Sequence, residues 1–212
     1  MSFDIFTIGH STLSIAQFLQ RLKRHDITAI ADVRSAPYSR HNPQFNREDL
    51  RSTLKAEGIG YVFLGKELGA RSEDECCYMD DKVQYSLLAK TGLFRAGISR
   101  VIEGSENFRI ALMCAEKDPL DCHRTILVSR ELAKLKRSVA HILGDGRLEM
   151  HSDAMLRLVD RLGLSHHDMF RTEEATLNEA YDKQADRIAY DRKAHGRFVS
   201  QRSDALQHEG DY

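Results

Sequence analysis

Residues 108–130 read FRIALMCAEKDPLDCHRTILVSR, and the fold follows from how this stretch changes character along its length. An apolar run from Ile110 to Met113 stops at Cys114, a polar loop follows, and apolar residues resume at Ile126 and Leu127. A short, continuous apolar run bounded by turn residues reads as a buried parallel strand, and the resumed pattern as the helix after it. The loop between them carries two thiols, Cys114 and Cys122, with Glu116, Lys117, Asp118, Asp121, His123 and Arg124. In open α/β sheets, ligands bind outside the carboxyl ends of the strands, where this loop sits.

The same alternation extends in both directions. Upstream, residues 4–8 and 27–33 read as strands, and Ile15, Phe18, Leu19 and Leu22 recur between them at helical spacing. Ser14 and Gln17 fit a capping box at the start of that helix. Residues 35–45 hold two of the three prolines and form an ordered loop. Asn46 is placed to cap a helix carrying Leu50 and Leu54, with Gly58 closing it before a strand over 59–64. Leu87, Leu88, Phe94, Ile98, Val101 and Ile102 predict a helix over 83–103, interrupted at Gly92. Downstream, the helix after the thiol loop runs to about residue 137. A short strand follows over 139–143, then a helix over 152–162 that buries Met155, Leu156, Val159 and Leu162.

Strands alternating with helices predict an α/β three-layer sandwich around a mainly parallel sheet of about five strands. Residues 1–164 form its single domain. Beyond Ser165 the aromatic and aliphatic residues thin out, and residues 165–212 read as a charged, helical or partly disordered C-terminal extension. Tyr181, Ala185, Ile188 and Ala189 keep a weak helical stripe there, which leaves open an arm that packs on a second subunit in a homodimer.

Composition narrows the class of function. A formal net charge of -1 over 212 residues does not favour nucleic acid, although a local basic patch stays open. No run approaches the roughly 18 apolar residues of a membrane span, and the first residues do not read as a secretion signal. Four cysteines in a chain of this length do not make a secreted disulfide framework. A cytoplasmic, reduced protein is expected.

Right-handed crossovers bring every βα loop to one edge of the sheet. The residues expected there are His10 and Ser11, Asp32 and Arg34, Arg40, the 66–71 turn with Arg71, Cys114 to Arg124, and Asp145. Turn chemistry explains glycine, asparagine and proline at such places, but not repeated arginine, histidine and cysteine. Arg34, Arg40, Arg71 and Arg124 supply forked donors suited to phosphate or carboxylate. The expected ligand is therefore a small anionic molecule or nucleotide, with His10, Ser11, Asp32 and Asp145 completing its contacts.

Three chemistries stay open at the thiol loop. A nucleophilic cysteine, with His123 or Glu116 moving protons, is the sharpest. A phosphatase-type loop is disfavoured, because Cys114 to Arg124 is too long and Cys122 to Arg124 too short for one phosphate cradle. A mixed metal site of Cys114, Cys122 and His123, with His10 or His141, lacks a diagnostic spacing, so no metal ligand and no cofactor is assigned. A redox pair of Cys114 and Cys122 is the third. The adjacent Cys76 and Cys77 make a poor chelate. No GxGxxG, GxxxxGK[ST] or GxSxG motif is present. A non-catalytic nucleotide or nucleic-acid binding module acting through a partner is the alternative to an enzyme.

Several motifs together resemble the domain of unknown function 488 family. They are TIGHST at 7–12, DVRSAPYSR at 32–40, Phe45 in NPQFN, YVFLGKELGAR at 61–71, MCAEKDPLDCHR at 113–124 and HILGDG at 141–146. Where the family usually carries a second glycine, this chain has Ala70. The resemblance covers residues 3–164 and implies a small cytoplasmic α/β protein with no assigned reaction. It also implies importance for His10, Asp32, Arg34, Arg40, Arg71, Cys114, Glu116, Cys122, His123 and Arg124.

Overall fold

The computed structural model describes residues 4–165 and 171–194. In its first half it contains β1 (Ile5–Gly9), α1 (Ile15–Arg24), β2 (Ala29–Asp32), α2 (Arg47–Ala56), β3 (Gly60–Phe63) and a short α3 (Gly65–Leu68). A small hairpin of β4 (Tyr78–Met79) and β5 (Lys82–Val83) leads to α4 (Tyr85–Leu88) and α5 (Gly92–Ser105). Then come β6 (Ile110–Cys114), α6 (Arg130–Lys134), β7 (Val139–Ile142), β8 (Leu148–Met150), α7 (His151–Arg161) and α8 (Glu173–Ile188).

The sheet has six strands in the order β3-β2-β6-β1-β7-β8. Five run parallel, and β8 pairs antiparallel with β7. All five residues of β6 are buried, as its unbroken apolar run requires for a strand covered on both faces. Side chains alternate across it. Ala111 and Met113 pack with Phe18, Leu22, Leu50 and Leu54 of α1 and α2, while Ile110, Leu112 and Cys114 pack with Phe94, Ile98, Leu132 and Ala180 on the opposite face. Those two apolar layers make the three-layer sandwich.

Local signals act as the sequence predicts at several joints. Ser14 and Gln17 form the complete capping box, and Gly58 closes α2 with φ 72°, a left-handed conformation that glycine adopts without strain. Other joints differ. Asn46 precedes α2, but its side chain accepts from the Ser39 N–H at 2.8 Å instead of capping the helix. The interruption expected at Gly92 is present, since Thr91 caps a fresh start there through the Phe94 N–H, but the helix before it, Tyr85–Leu88, is only one turn long. Leu156 is half exposed, and Ala154 and Leu158 take the buried stripe of α7 with Met155 and Val159. The three-residue β8 is too short to show period-2 alternation. The helix after the thiol loop begins as a π-helical segment, Arg124–Ser129, before α6.

The C-terminal helix packs on its own chain. Ala180 and Tyr181 belong to the α5/α6 core layer, and Gln184 donates to the Leu120 carbonyl at 2.8 Å. No helix among the described residues is long and apolar enough to cross a membrane.

Candidate functional site

Strands β2 and β6 lie side by side, with Asp32 opposite Met113. The chain leaves β2 toward α2 on one face and leaves β6 toward α6 on the other. Two loops departing to opposite faces open a crevice between neighbouring strand ends, the position where α/β folds bind ligands. A pocket of about 240 Å³ occupies it. Arg34 comes from the loop after β2, Arg71 from the turn after α3, and Cys114, Glu116 and His123 from the loop after β6. Tyr85 of α4, Tyr190, which follows α8, and Asp121 of the β6 loop also line the wall.

Asp32 is wholly buried and fixes Arg34 in a bidentate pair, Nε to Oδ1 at 2.9 Å and Nη2 to Oδ2 at 2.6 Å. The same carboxylate accepts from the Tyr61 hydroxyl at 2.8 Å. Burial opposes the charge on Arg34, but Asp32 more than offsets it and raises the guanidinium pKa. His10 sits behind Arg34. Its Nδ1–H donates to the Ser11 carbonyl at 2.9 Å, which leaves Nε2 as an acceptor 3.3 Å from Arg34 Nη1. Burial and the neighbouring guanidinium hold this imidazole near pKa 4, so at neutral pH it is an uncharged prop. Its ring stacks on Phe45 at 4.4 Å.

Arg71 contrasts with Arg34. It is exposed, its guanidinium lies over the Tyr190 ring at 4.6 Å, and its side chain has no ion pair among the described residues.

At the pocket floor, His123 Nε2–H donates to the Val33 carbonyl at 3.0 Å. That bond fixes the tautomer, so the Nδ1 lone pair faces Cys114 Sγ at 3.7 Å and Cys122 Sγ at 3.9 Å. Cys114 lines the pocket, and Cys122 is buried behind it. Glu116 is exposed as a residue, yet its carboxylate turns inward, and Cys122 Sγ donates to Oε2 at 2.9 Å. Burial and the neighbouring Cys122 raise the Cys114 thiol well above its ordinary value. Burial acts the same way on Cys122, but Cys114, the Arg124 guanidinium and His123 outweigh it and hold Cys122 well below. Burial and Cys122 push Glu116 upward. A thiolate and a carboxylate 2.9 Å apart repel, so Cys122 and Glu116 share one proton. The cluster thus has a nitrogen lone pair, an ionisable thiol pair and a carboxyl able to give or take a proton.

Arg124 serves the loop itself. Almost wholly buried, it donates to the Glu116 carbonyl at 2.9 Å and to the Lys117 carbonyl at 3.4 Å. The folded-back loop presses so closely on β1 that a Cβ on Gly9 would lie 1.8 Å from the Glu116 oxygen. His10 and Ser11 donate their backbone N–H groups to the Cys114 and Ala115 carbonyls at 2.9 and 2.8 Å, tying the two strand ends together.

The predicted residues therefore fall into three groups. Arg34, Arg71, Cys114, Glu116 and His123 line one pocket, with Cys122 directly behind. Asp32, His10 and Arg124 hold those groups in place. Ser11, Arg40 and Asp145 do not line it; Arg40 is exposed on the proline loop, and Asp145 pairs with Arg147 in the β7–β8 turn at 2.7 Å. Sequence reasoning missed Tyr85 and Tyr190, because neither lies in a loop after a strand of the central sheet; Tyr85 opens α4, and Tyr190 follows α8. The π-helical segment had no signal in the residue pattern.

The family model described as "Domain of unknown function DUF488" matches residues 14–130. That range includes β2, β6 and every arginine, cysteine, histidine and glutamate lining the pocket, and stops before α8 and Tyr190. No curated protein and no solved structure matches the chain.

Proposed function

We propose that this chain, which belongs to the family of the domain of unknown function DUF488, binds a small phosphate- or carboxylate-bearing molecule and acts on it through its cysteine–histidine centre. Arg34 and Arg71 take the anionic group, and Cys114, Cys122 and His123 lie beneath it. Glu116 carries the proton. The observation behind this reading is that two guanidinium groups, one ordered and one without an ion pair, share a pocket with a thiol and an imidazole lone pair. Arg71 can offer an oxyanion charge-assisted, forked contact, while Arg34, whose fork is held by Asp32, the Phe45 carbonyl and His10, contributes its charge and the remaining Nη1–H.

Size sharpens the choice of ligand. About 240 Å³ is smaller than the roughly 300–1,000 Å³ of drug-sized pockets, so a whole nucleotide would not be enclosed. A phosphate or carboxylate fits between the arginines, and any attached ring lies at the mouth beside Tyr190.

Calorimetric titration with phosphate, sulfate and a nucleoside monophosphate tests the binding step. Arg71→Ala is expected to weaken the best of them about 10- to 100-fold, the equivalent of one charge-assisted hydrogen bond. Cys114→Ser is expected to bind within about twofold but to abolish any turnover found by mass spectrometry of bound ligands. Binding with no turnover in either protein would make the pocket a recognition module and remove the catalytic half. No binding to the wild type, or binding indifferent to Arg71, would contradict the whole reading.

A further inference from the structure

We infer that Cys114 Sγ, Cys122 Sγ and His123 Nδ1 form a three-ligand site for a zinc-class divalent ion, whose remaining coordination position serves the pocket. The inference rests on the reading that this cluster is the reactive part of the anion site, and it names the cofactor.

Geometry carries it. The three donor atoms lie within 4.8 Å of one another, all on buried residues. Metal–sulfur bonds near 2.3 Å and metal–nitrogen bonds near 2.0–2.1 Å put tetrahedral ligands about 3.6–3.8 Å apart. The two sulfur–nitrogen separations, 3.7 and 3.9 Å, exceed the lower end of that range, the sulfur–nitrogen value, by only a few tenths of an ångström.

The hydrogen bond behind the imidazole agrees. Metal-bound imidazoles nearly always donate their other N–H to a carbonyl or carboxylate, which fixes the ring and the tautomer. His123 does so to Val33 at 3.0 Å, and that bond aims the free lone pair at both sulfurs. The Cys122 thiol has Glu116 as an acceptor and the Cys114 thiol has the His123 lone pair, so a cation that displaces both protons gains three donors already gathered at one point. Two thiolates and an imidazole suit zinc and disfavour magnesium or calcium.

Three protein ligands with one open position are the pattern of a catalytic site. Glu116 is not one of the three donors, yet its carboxylate is 2.9 Å from Cys122 Sγ, at the edge of the centre. It is therefore placed as a proton carrier beside the ion. When bound, such an ion supplies Lewis acidity and lowers the pKa of its water. In the loaded protein Cys114 and Cys122 are ligands, and the cysteine dependence of the proposed chemistry is dependence on the metal. His10 and His141 stand outside the set, since His10 props Arg34 and His141 bonds Thr7 and His151.

The full-length protein, reconstituted with zinc and freed of excess, is expected to hold one zinc per chain by elemental analysis. Cobalt(II) substitution is expected to give a sulfur-to-cobalt charge-transfer band and the visible bands of tetrahedral geometry. Cys122→Ser and His123→Ala should each lower zinc affinity by roughly a hundredfold or more, while the exposed Cys76→Ser changes nothing. Circular dichroism identifies any variant that fails to fold, and Cys114→Ala then serves as the second ligand variant. Substoichiometric zinc and no charge-transfer band in folded wild type would overturn the metal site. Phosphate titration of chelator-treated protein separates the two readings: retained, Arg71-dependent binding there would leave the anion site standing while the metal site falls.

Discussion

Two histidine clusters lie on the same side of the sheet, and their hydrogen bonds are completed in different ways. In the first, Thr7 Oγ1, His141, His151 and the Tyr181 hydroxyl form one buried chain with links of 2.8, 3.0 and 2.7 Å. Every ring nitrogen in it has a protein partner. In the second, His123 anchors one nitrogen on Val33 and leaves the other facing two sulfurs at the floor of a pocket. The sealed chain joins α8 to β1 and β7 and stabilises the fold. The second cluster completes its bonding with long contacts to sulfur beside a cavity, contacts that a ligand can replace. Burial alone does not distinguish a structural histidine from a functional one; replaceable sulfur contacts next to a cavity do.

The comparison can be broken most forcefully at Asp32. Arg34 faces the pocket, but its pairing belongs to the completed kind of polar network. Asp32→Ala leaves a buried guanidinium without its carboxylate and should destabilise the protein by about 3–5 kcal/mol in urea unfolding. A loss below about 1 kcal/mol would show that Arg34 escapes to solvent and that its pairing is not structural.

Acid should act next, through the sealed chain. Burial holds His151 near pKa 4, below the 6.5 of an unfolded histidine, and His141 is lowered by burial and by His151. The unfolded chain therefore takes up protons first. The stabilisation is complete above pH 6.5 and falls away between pH 6.5 and 4, by roughly 3 kcal/mol for His151 alone. The groups facing the pair are Thr7, Tyr181 with Arg130 over its ring, and the more distant Asp118, Arg124 and Arg157. Urea midpoints from pH 7.5 to 4 measure the slope, and His151→Leu should flatten it. An unchanged slope in that variant would place the acid sensitivity elsewhere.

Tyr181→Phe is a smaller perturbation of the same chain. It leaves His151 Nε2 without its partner and should lower stability by about 1–3 kcal/mol while phosphate affinity is unaffected. Arg71→Ala is the mirror image and the smallest in stability. Its melting temperature should match the wild type, within about 0.5 kcal/mol of stability, although ligand binding weakens about 10- to 100-fold. If both variants lowered stability and binding together, the two clusters would not be separable.

Much of this was legible in the residues because β1, β2 and β6 end in abrupt changes of polarity, and parallel crossovers bring such ends to one rim. Arg34, Arg71, Cys114, Glu116 and His123 follow from that topology. The roles within the rim were not legible. Asp32, His10 and Arg124 look like ligand contacts in sequence, and only three-dimensional pairing shows that they hold other residues in place. Arg40 and Asp145 share the polar character of the rim without reaching the pocket. Tyr85 and Tyr190 lie outside the loops that follow the central strands, and their arrival depends on how the β4–β5 hairpin, α4 and α8 pack. The convergence of Cys114, Cys122 and His123 on one point depends on the loop folding back against Gly9, which no spacing rule encodes.

The central claim, that the arginines draw an anion onto the thiol centre, is tested most directly by comparing two alkylating reagents of similar size. Chelator-treated Cys76→Ser protein is exposed to anionic iodoacetate and neutral iodoacetamide, and modification of Cys114 is followed by mass spectrometry. A field focused by Arg34 and Arg71 should favour iodoacetate relative to a free thiol, and Arg71→Ala should erase much of that preference. A rate ratio equal to that of a free thiol and indifferent to Arg71 would contradict the account.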